Sequence, residues 1–158
     1  MAVGSETEEN GRRITGELKA AIETVKNAGS QAEYEDGYRL VFKSLDSLED
    51  LLSKNRFLSG NTPGEADREL YEVITAFDTA YYFALHLNKK RIRDYENLWN
   101  YAKELYSIPE FKETADFDAI KRELLMGKDI NPFGILPVGP DNSAWEEDNN
   151  RSSIFGEL

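Results

Sequence analysis

The stretch NRFLSGNTPGEADRELY, residues 55–71, decides the fold because it joins a loop to the start of a long amphipathic helix. Pro63 and Gly64 interrupt regular structure in its first half. From Glu65 onward, apolar residues recur every three or four positions, as they do on one face of a helix. The members of this stripe are Leu70, Ile74, Phe77, Tyr81, Ala84 and Leu85. The spacing predicts a helix from about Glu65 to Leu87.

Helical patterns also lie on both sides of this stretch. Before it, they predict one helix starting near Ile14 and a longer one that Ser30 caps and that runs to about Lys54. After it, they predict shorter helices on either side of Pro109, and the pattern stops at Gly127. No segment shows the alternation of a strand.

The sequence therefore predicts an all-α bundle of five or six helices with an extended C-terminal tail. Residues 1–11 are expected to form a flexible lead, and residues 12–127 the helical domain. Residues 128–158 are expected to pack on the domain as a tail whose last part is mobile.

Composition narrows the classes of function. The net charge of −11 repels phosphate backbones, which argues against nucleic-acid binding. The sequence has no Cys, so it offers neither a thiol nucleophile nor a thiolate metal site, and its single His86 cannot form a zinc site alone. It shows no secretory signal and no apolar run of about 18 residues. We therefore expect no membrane insertion, and a reducing compartment: the cytoplasm, an organelle stroma or a matrix.

Residues 55–60, 64–67 and 70–71 resemble the entry to the central helix of glutathione transferases, written R-[YF]-L-x-G, then [ST]-x-A-D, then a helix. In that family, Ser or Thr caps the helix, and the Asp bonds the backbone of the capping residue. Gly64 stands here at the cap position, and Asp67 keeps its place. We expect both residues to form a structural cap.

The resemblance becomes specific to the xi class, the glutathionyl-hydroquinone reductases, farther along the chain. Residues 77–81 (FDTAY) and 94–98 (DYENL) are similar to F-D-x-V-Y and D-Y-P-N-L of that class. The tail resembles its motif I-N-P-x-G-I-[VL]-P-x-G-P. The matching tail positions are Ile130, Asn131, Pro132, Gly134, Pro137, Gly139 and Pro140. The resemblance covers about residues 22–140.

The xi class implies a chemistry that these residues lack. In that class a thioredoxin-like domain comes first, and its Cys attacks a glutathionyl-hydroquinone, releases the hydroquinone and forms a mixed disulfide that a second glutathione resolves. This sequence has no Cys and no βαβ segment before its first helix. We expect no catalysis by it alone, and glutathione as a cofactor only if such a domain acts with it.

The resemblance also implies a substrate pocket that is altered here. After Tyr81 the family reads H-F-K-C-N, which aligns with Ala84 to Asn88, so Ala84 and Leu87 replace its His and Cys, and His86 stands at its Lys. Its later I-K-x-H-Y-Y aligns with residues 120–125 (IKRELL). The candidate pocket residues are Tyr81, Tyr82 and Trp99. Tyr81 serves either to bond a quinol oxygen or to pack in the core.

Three functions remain open from the sequence. The sequence keeps the pattern of the helical domain but lacks the pocket residues of the family. This favours the hypothesis of a non-catalytic interaction or assembly subunit that binds a protein partner, in a hetero-complex or a homodimer. Alternatively, the chain is the helical half of a glutathione-dependent transferase or glutathionyl-hydroquinone reductase. The third hypothesis is a carrier of a small ligand, although the sequence shows no group of polar residues that would bind one.

Overall fold

The computed structural model describes residues 2–158, with side chains from residue 6 onward. No strand forms between residues 2 and 158, which confirms the predicted all-α bundle. In chain order the elements are α1 (Ala2–Lys26), α2 (Gln31–Lys54), α3 (Glu65–Ala76), a π-helical turn (Phe77–Tyr81), α4 (Tyr82–Ala84), a 3-10 turn (Ile92–Asp94), α5 (Glu96–Tyr106), α6 (Pro109–Lys112), α7 (Phe117–Leu125), a second 3-10 turn (Ser143–Glu146) and α8 (Arg151–Phe155).

Helices α1 and α2 form a hairpin with a short connection. Helix α2 begins at the predicted cap, where the Ser30 hydroxyl accepts the N–H of Glu33 at 3.2 Å. The two helices cross closely at Gly37, since a Cβ atom built there would lie only 2.6 Å from Cγ2 of Val25. The missing side chain at this position lets the two backbones approach.

The flexible lead was expected over residues 1–11; the structure has α1 beginning at Ala2, and Met1 lies outside the described residues. Two contacts, at residues 11 and 12, join α1 to the 55–71 stretch. Gly11 packs on Leu58, whose Cδ2 atom would lie 2.8 Å from a Cβ at position 11. Arg12 forms two hydrogen bonds of 3.0 Å with Glu69. Both contacts join distant parts of the chain, so no local pattern reveals them.

The long helix predicted from Glu65 to Leu87 is interrupted. Helix α3 ends at Ala76, and the chain continues through the π-helical turn into α4, which ends at Ala84. The wider turn directs the Asp78 carboxylate to the backbone of the 3-10 turn, where it accepts the N–H of Ile92 at 2.7 Å. A π turn of this kind occurs often at functional sites, and Tyr81 is its last residue.

The core lies between α1, α2, α3 and α5. Phe42 of α2 meets Phe77 edge to face, with ring centroids 6.1 Å apart. Helix α5 is capped from α2, since the Glu49 carboxylate accepts the N–H groups of Asn97 at 3.0 Å and Leu98 at 2.8 Å. This cap uses the positive end of the helix dipole and fixes α5 relative to α2.

The tail packs on the helical domain. Lys121 of α7 donates to the carbonyl oxygens of Pro137 and Val138, both at 3.0 Å. Trp145 is buried in an aromatic cluster. Its ring contacts are Trp99 at 5.0 Å, Phe117 at 5.4 Å, Tyr106 at 5.5 Å and Tyr71 at 6.4 Å between centroids.

The last part of the tail, for which mobility was expected, contacts the loop before α3. It forms α8, whose Arg151 is 0% exposed and donates to the carbonyl oxygens of Asn55 and Arg56, both at 2.8 Å. Arg56 in turn donates to Ser152 at 3.1 Å. The end of the chain is thus bonded to the loop that precedes α3.

Candidate functional site

Asp67 organises the loop that leads into α3. Its Oδ1 atom accepts the N–H of Leu58 at 2.8 Å and the hydroxyl of Tyr101 at 2.6 Å. Its Oδ2 atom accepts the N–H groups of Gly64 at 3.0 Å and Ser59 at 3.2 Å. The bond from the Gly64 N–H to Asp67 is the one that the predicted cap requires. The bonds from Leu58, Ser59 and Tyr101 join Asp67 also to the rest of the loop and to α5.

Gly64 has a steric reason to stand where the resemblance has Ser or Thr. A Cβ atom at position 64 would lie 2.7 Å from Oγ and 2.9 Å from Cβ of Ser59. Only one half of the reciprocal capping arrangement therefore forms, because glycine has no side chain to accept the N–H of Asp67. The backbone carbonyl of Gly64 accepts that N–H instead, at 3.1 Å.

A buried ion pair joins the same loop to α5. Arg56 donates from Nε to Oε1 of Glu104 at 3.1 Å, and a second bond completes the pair. Both side chains are almost wholly removed from solvent. The hydrogen bond to Glu104 is the main cause that raises the pKa of Arg56. Sequence reasoning missed this pair, since its members are far apart in the chain.

Tyr81 closes the π-helical turn and is half-buried. Burial is the main cause that raises the pKa of its phenol, and the nearby carboxylates of Glu23, Glu123 and Glu72 raise it further. No hydrogen bond to a described residue contributes to this shift. Tyr81 therefore presents a protonated hydroxyl that is free to donate to a ligand.

The other two candidate pocket residues, Tyr82 and Trp99, each have further aromatic neighbours. Tyr82 lies near Tyr38, and its presence raises the pKa of that phenol in addition to burial and Tyr34. Trp99 is covered instead by the tail, with the Trp145 ring at 5.0 Å. The cations of Arg93 and Lys103 lie 5.2 and 5.5 Å from the centre of the Trp99 ring. The indole of Trp99 thus packs against the tail.

The tail motif forms a turn around Asn131. Its Nδ2 atom donates to the carbonyl oxygens of Leu125 at 2.9 Å and Ile135 at 2.6 Å, and its Oδ1 atom accepts the N–H of Ile135 at 3.0 Å. Gly134 adopts a left-handed φ of 63°, and the Gly139–Pro140 peptide bond is cis. The motif leaves large apolar side chains in solvent, namely Ile130, Phe133, Ile135 and Val138.

A cleft of about 520 Å³ lies at one end of the bundle and was not predicted. Its walls come from the connection between α1 and α2, from the end of α4 and from the tail. The lining residues are Val25, Lys26, Ala28, Ser30, Gln31, Tyr34, Ala84, Leu85, His86 and Ile130. A wider groove of about 990 Å³ runs along α1 and α2, with charges of both signs on its rim.

These sites can bind and donate hydrogen bonds, but no Cys is present to supply a thiolate. Within residues 2–158, no helix combines the length and the apolar character that a bilayer crossing requires.

Comparisons with known proteins place this geometry in a family. The model of the glutathione S-transferase C-terminal domain matches residues 31–104. Glutathionyl-hydroquinone reductase YqjG of Escherichia coli K12 is 37% identical over 133 residues, which are 82% of this chain and 39% of that protein. The chain therefore spans about two fifths of that relative.

Solved structures agree over nearly the whole chain. The glutathione-bound structure of YqjG from Escherichia coli K-12 matches with a TM-score of 0.86 and 30% identity, over 98% of this chain and 51% of that one. The xi transferase of Phanerochaete chrysosporium matches with a TM-score of 0.80 and 30% identity, over 90% of this chain and 49% of that one.

Proposed function

Because the chain is a glutathione S-transferase C-terminal domain homologous to glutathionyl-hydroquinone reductase, we propose that it is the helical half of a glutathione-dependent reductase or transferase. In this role it binds the hydroquinone part of a glutathionyl conjugate. The thiol comes from a thioredoxin-like unit that lies outside the 158 residues.

The observation that carries the proposal is the joint preservation of the helical domain and its tail. The match to the glutathione-bound relative extends over 98% of this chain and about half of that one. It includes the turn around Asn131, which buries little of its own apolar surface. A segment that keeps its shape while exposing apolar side chains is typical of a surface that contacts something else.

Tyr81 fits a role in holding the hydroquinone ring. In the proposed reaction, a thiolate attacks the glutathione sulfur, the carbon–sulfur bond breaks, and the ring carbon takes a proton. A second glutathione then attacks the mixed disulfide and leaves as oxidised glutathione. The protonated phenol of Tyr81 donates to a ring oxygen and so orients the ring during the first step.

A non-catalytic assembly subunit is the second candidate function. It is favoured by the exposure of the tail motif, where Phe133 is 87% and Val138 is 97% exposed. The substitutions at Ala84 and Leu87, relative to the xi pattern, also fit a fold kept for contacts. In this reading the tail motif is the contact surface for a protein partner.

The first experiment is calorimetric titration of the purified chain with a glutathionyl-hydroquinone. We expect saturable binding that Tyr81→Phe weakens about three- to tenfold, the effect of one lost hydrogen bond. Tyr82→Phe is the matched control and should bind as the unchanged protein does. Equal affinity in all three proteins, or no binding at millimolar conjugate, would contradict the proposal.

A second experiment separates the two candidate functions. The chain is used to capture partners from native extract, which mass spectrometry identifies, while retention on glutathione-agarose is measured in parallel. A captured thioredoxin-like protein, or elution by free glutathione, supports the reductase half. One stable assembly of other proteins, with no retention on glutathione, supports the assembly subunit.

A further inference from the structure

The outer face of α2 carries charged side chains whose sign changes once along the helix. Arg39 and Lys43 lie in its first half, and Asp46 and Asp50 lie in its second half. All four side chains are exposed, and all four line the wide groove of about 990 Å³. Their spacings of three, four and seven residues place them on one side of the helix. The face thus has a positive half and a negative half.

Contacts within the chain leave these charges available to a partner. Arg39 pairs with Asp36 at 2.8 Å, and Asp50 pairs with Lys54 at 3.2 Å. These side chains are between 66% and 70% exposed, and an exposed ion pair contributes little because water competes for both charges. Lys43 forms no ion pair with another described residue. The charges of this face can therefore be paired anew at small cost.

A second copy of α2 that runs antiparallel to the first presents opposite charges to this face. A two-fold axis between two such helices brings residues at equal distances from the axis to the same level. When the axis passes midway between Lys43 and Asp46, each Lys43 lies level with Asp46 of the other copy. The same axis brings each Arg39 level with Asp50 of the other copy. The face is thus complementary in charge to itself.

The groove beside these charges supplies the apolar part of such a contact. Tyr38 and Leu51 are half-buried and line the groove, and the same axis brings them to one level. Phe42 also lines it, with the ammonium of Lys89 5.9 Å from the centre of its ring. Residues 38–51 extend over about 20 Å of helix. Aromatic side chains together with Arg are enriched at protein interfaces.

We propose that two copies of the chain pair through the outer faces of α2, with the helices antiparallel and the positive half of each face against the negative half of the other. A chain with a net charge of −11 repels a second copy over most of its surface. This face offsets that repulsion because its charges are compensated in the antiparallel arrangement. The proposal does not depend on the proposed function, since Tyr81 does not line this groove.

The experiment reverses the two halves of the face in separate variants. The acidic variant carries Arg39→Glu and Lys43→Glu, and the basic variant carries Asp46→Lys and Asp50→Lys. In a pair of identical copies, each variant places like charges at the same level. A mixed pair of one acidic and one basic copy has opposite charges at all four levels. Each variant alone should therefore lose the contact, and the mixture should regain it.

Sedimentation velocity measures the mass of each species, while circular dichroism checks that every variant is folded. We expect the unchanged protein to reach twice the 18.0 kDa of one chain as its concentration rises. Each variant alone should associate at least tenfold more weakly, and the equimolar mixture should recover a complex of two chains. Arg122→Glu with Lys128→Glu is the matched control. It changes the net charge as the acidic variant does, at exposed positions outside the groove, and should associate as the unchanged protein does.

Three results would overturn the proposal. The first is an unchanged protein that stays monomeric at about 100 µM, a concentration at which interfaces of micromolar affinity are occupied. The second is association that persists in both variants, because it would place the interface on another surface. The third is a mixture of the two variants that stays monomeric, which would mean that the halves of the face do not meet. Binding of the glutathionyl conjugate is a separate measurement, so the proposed function can fail or stand under any of these results.

Discussion

The phenol of Tyr101 in α5 donates a 2.6 Å hydrogen bond to Oδ1 of Asp67 in α3, and both side chains are 0% exposed. Burial is the main cause that raises the pKa of Tyr101 well above its usual value, and the Asp67 carboxylate raises it further. Tyr101 thus stays a donor, and one carboxylate joins α3, α5 and the loop before α3.

Replacing Asp67 should destabilise the whole bundle. Asp67→Ala leaves three backbone N–H groups and the Tyr101 hydroxyl without an acceptor. Each buried donor left unpaired costs about 1–3 kcal/mol, so we expect a total loss of about 3–5 kcal/mol after partial relaxation. Urea unfolding followed by circular dichroism measures this loss. Tyr101→Phe should cost only about 1 kcal/mol, and the reverse order would contradict the role of Asp67.

The two helices of the hairpin offer a matched pair of glycines. Gly37→Ala places a methyl group 2.6 Å from Val25 Cγ2 and 3.1 Å from its backbone nitrogen, so we expect a loss of about 1–3 kcal/mol. Gly16→Ala in α1 meets nothing within 4 Å and should gain about 0.5–1 kcal/mol. Thermal unfolding of both variants tests the close crossing, and equal effects would disprove it.

Buried tyrosines should make the protein sensitive to alkali. Burial raises the pKa of Tyr71, Tyr95 and Tyr101 above the usual 10. Since the folded state holds these protons more tightly, the stability they contribute is complete below pH 10 and is lost as pH rises above it. We expect tyrosinate absorbance to rise together with the loss of helical circular dichroism.

A variant tests the same linkage. Tyr101→Phe cannot ionise, so its stability should fall less steeply with pH above 10 than that of the unchanged protein. Complete tyrosinate formation while the helical signal stays intact would show that these phenols are open to solvent.

Trp145 should control docking of the tail. Trp145→Ala empties the space between Trp99, Tyr106 and Phe117, and truncation of a buried Trp costs about 3–5 kcal/mol. We expect faster amide hydrogen exchange in α8, with the α1–α2 hairpin unchanged. Ile154→Ala, at a half-exposed position of α8, should lie within about 0.5 kcal/mol of the unchanged protein. Equal exchange in α8 for all three proteins would mean that Trp145 does not hold the tail.

Sequence patterns predict those helices whose apolar stripe and capping residue lie within the same segment. Helix α2 begins at the Ser30 cap and ends at Lys54 because its stripe and cap are both visible in the sequence. The π-helical turn is invisible, since the stripe through Phe77 and Tyr81 reads the same in an α-helix. The Asp78 carboxylate of this turn accepts the N–H of Ile92, a tertiary contact that the pattern of one helix does not reveal.

The candidate site was harder to predict for the same physical reason. An aromatic residue such as Trp99 is typical of a pocket lining. The Trp145 ring that packs against it, however, belongs to the distant tail. The cleft around His86 draws its walls from three separate segments, and the Tyr34 hydroxyl of α2 donates to the His86 carbonyl oxygen there. The spacing of residues within one helix does not reveal contacts between segments that are distant in the sequence.

Both tryptophans of the sequence lie at one junction, with ring centroids 5.0 Å apart where the tail meets α5. Intrinsic tryptophan fluorescence is therefore an optical reporter of that junction and of little else in the molecule. A fluorescence change that precedes the loss of the far-ultraviolet helical signal would mean that the tail detaches before the bundle melts. Coincident curves would mean that the tail and the bundle unfold as one cooperative unit.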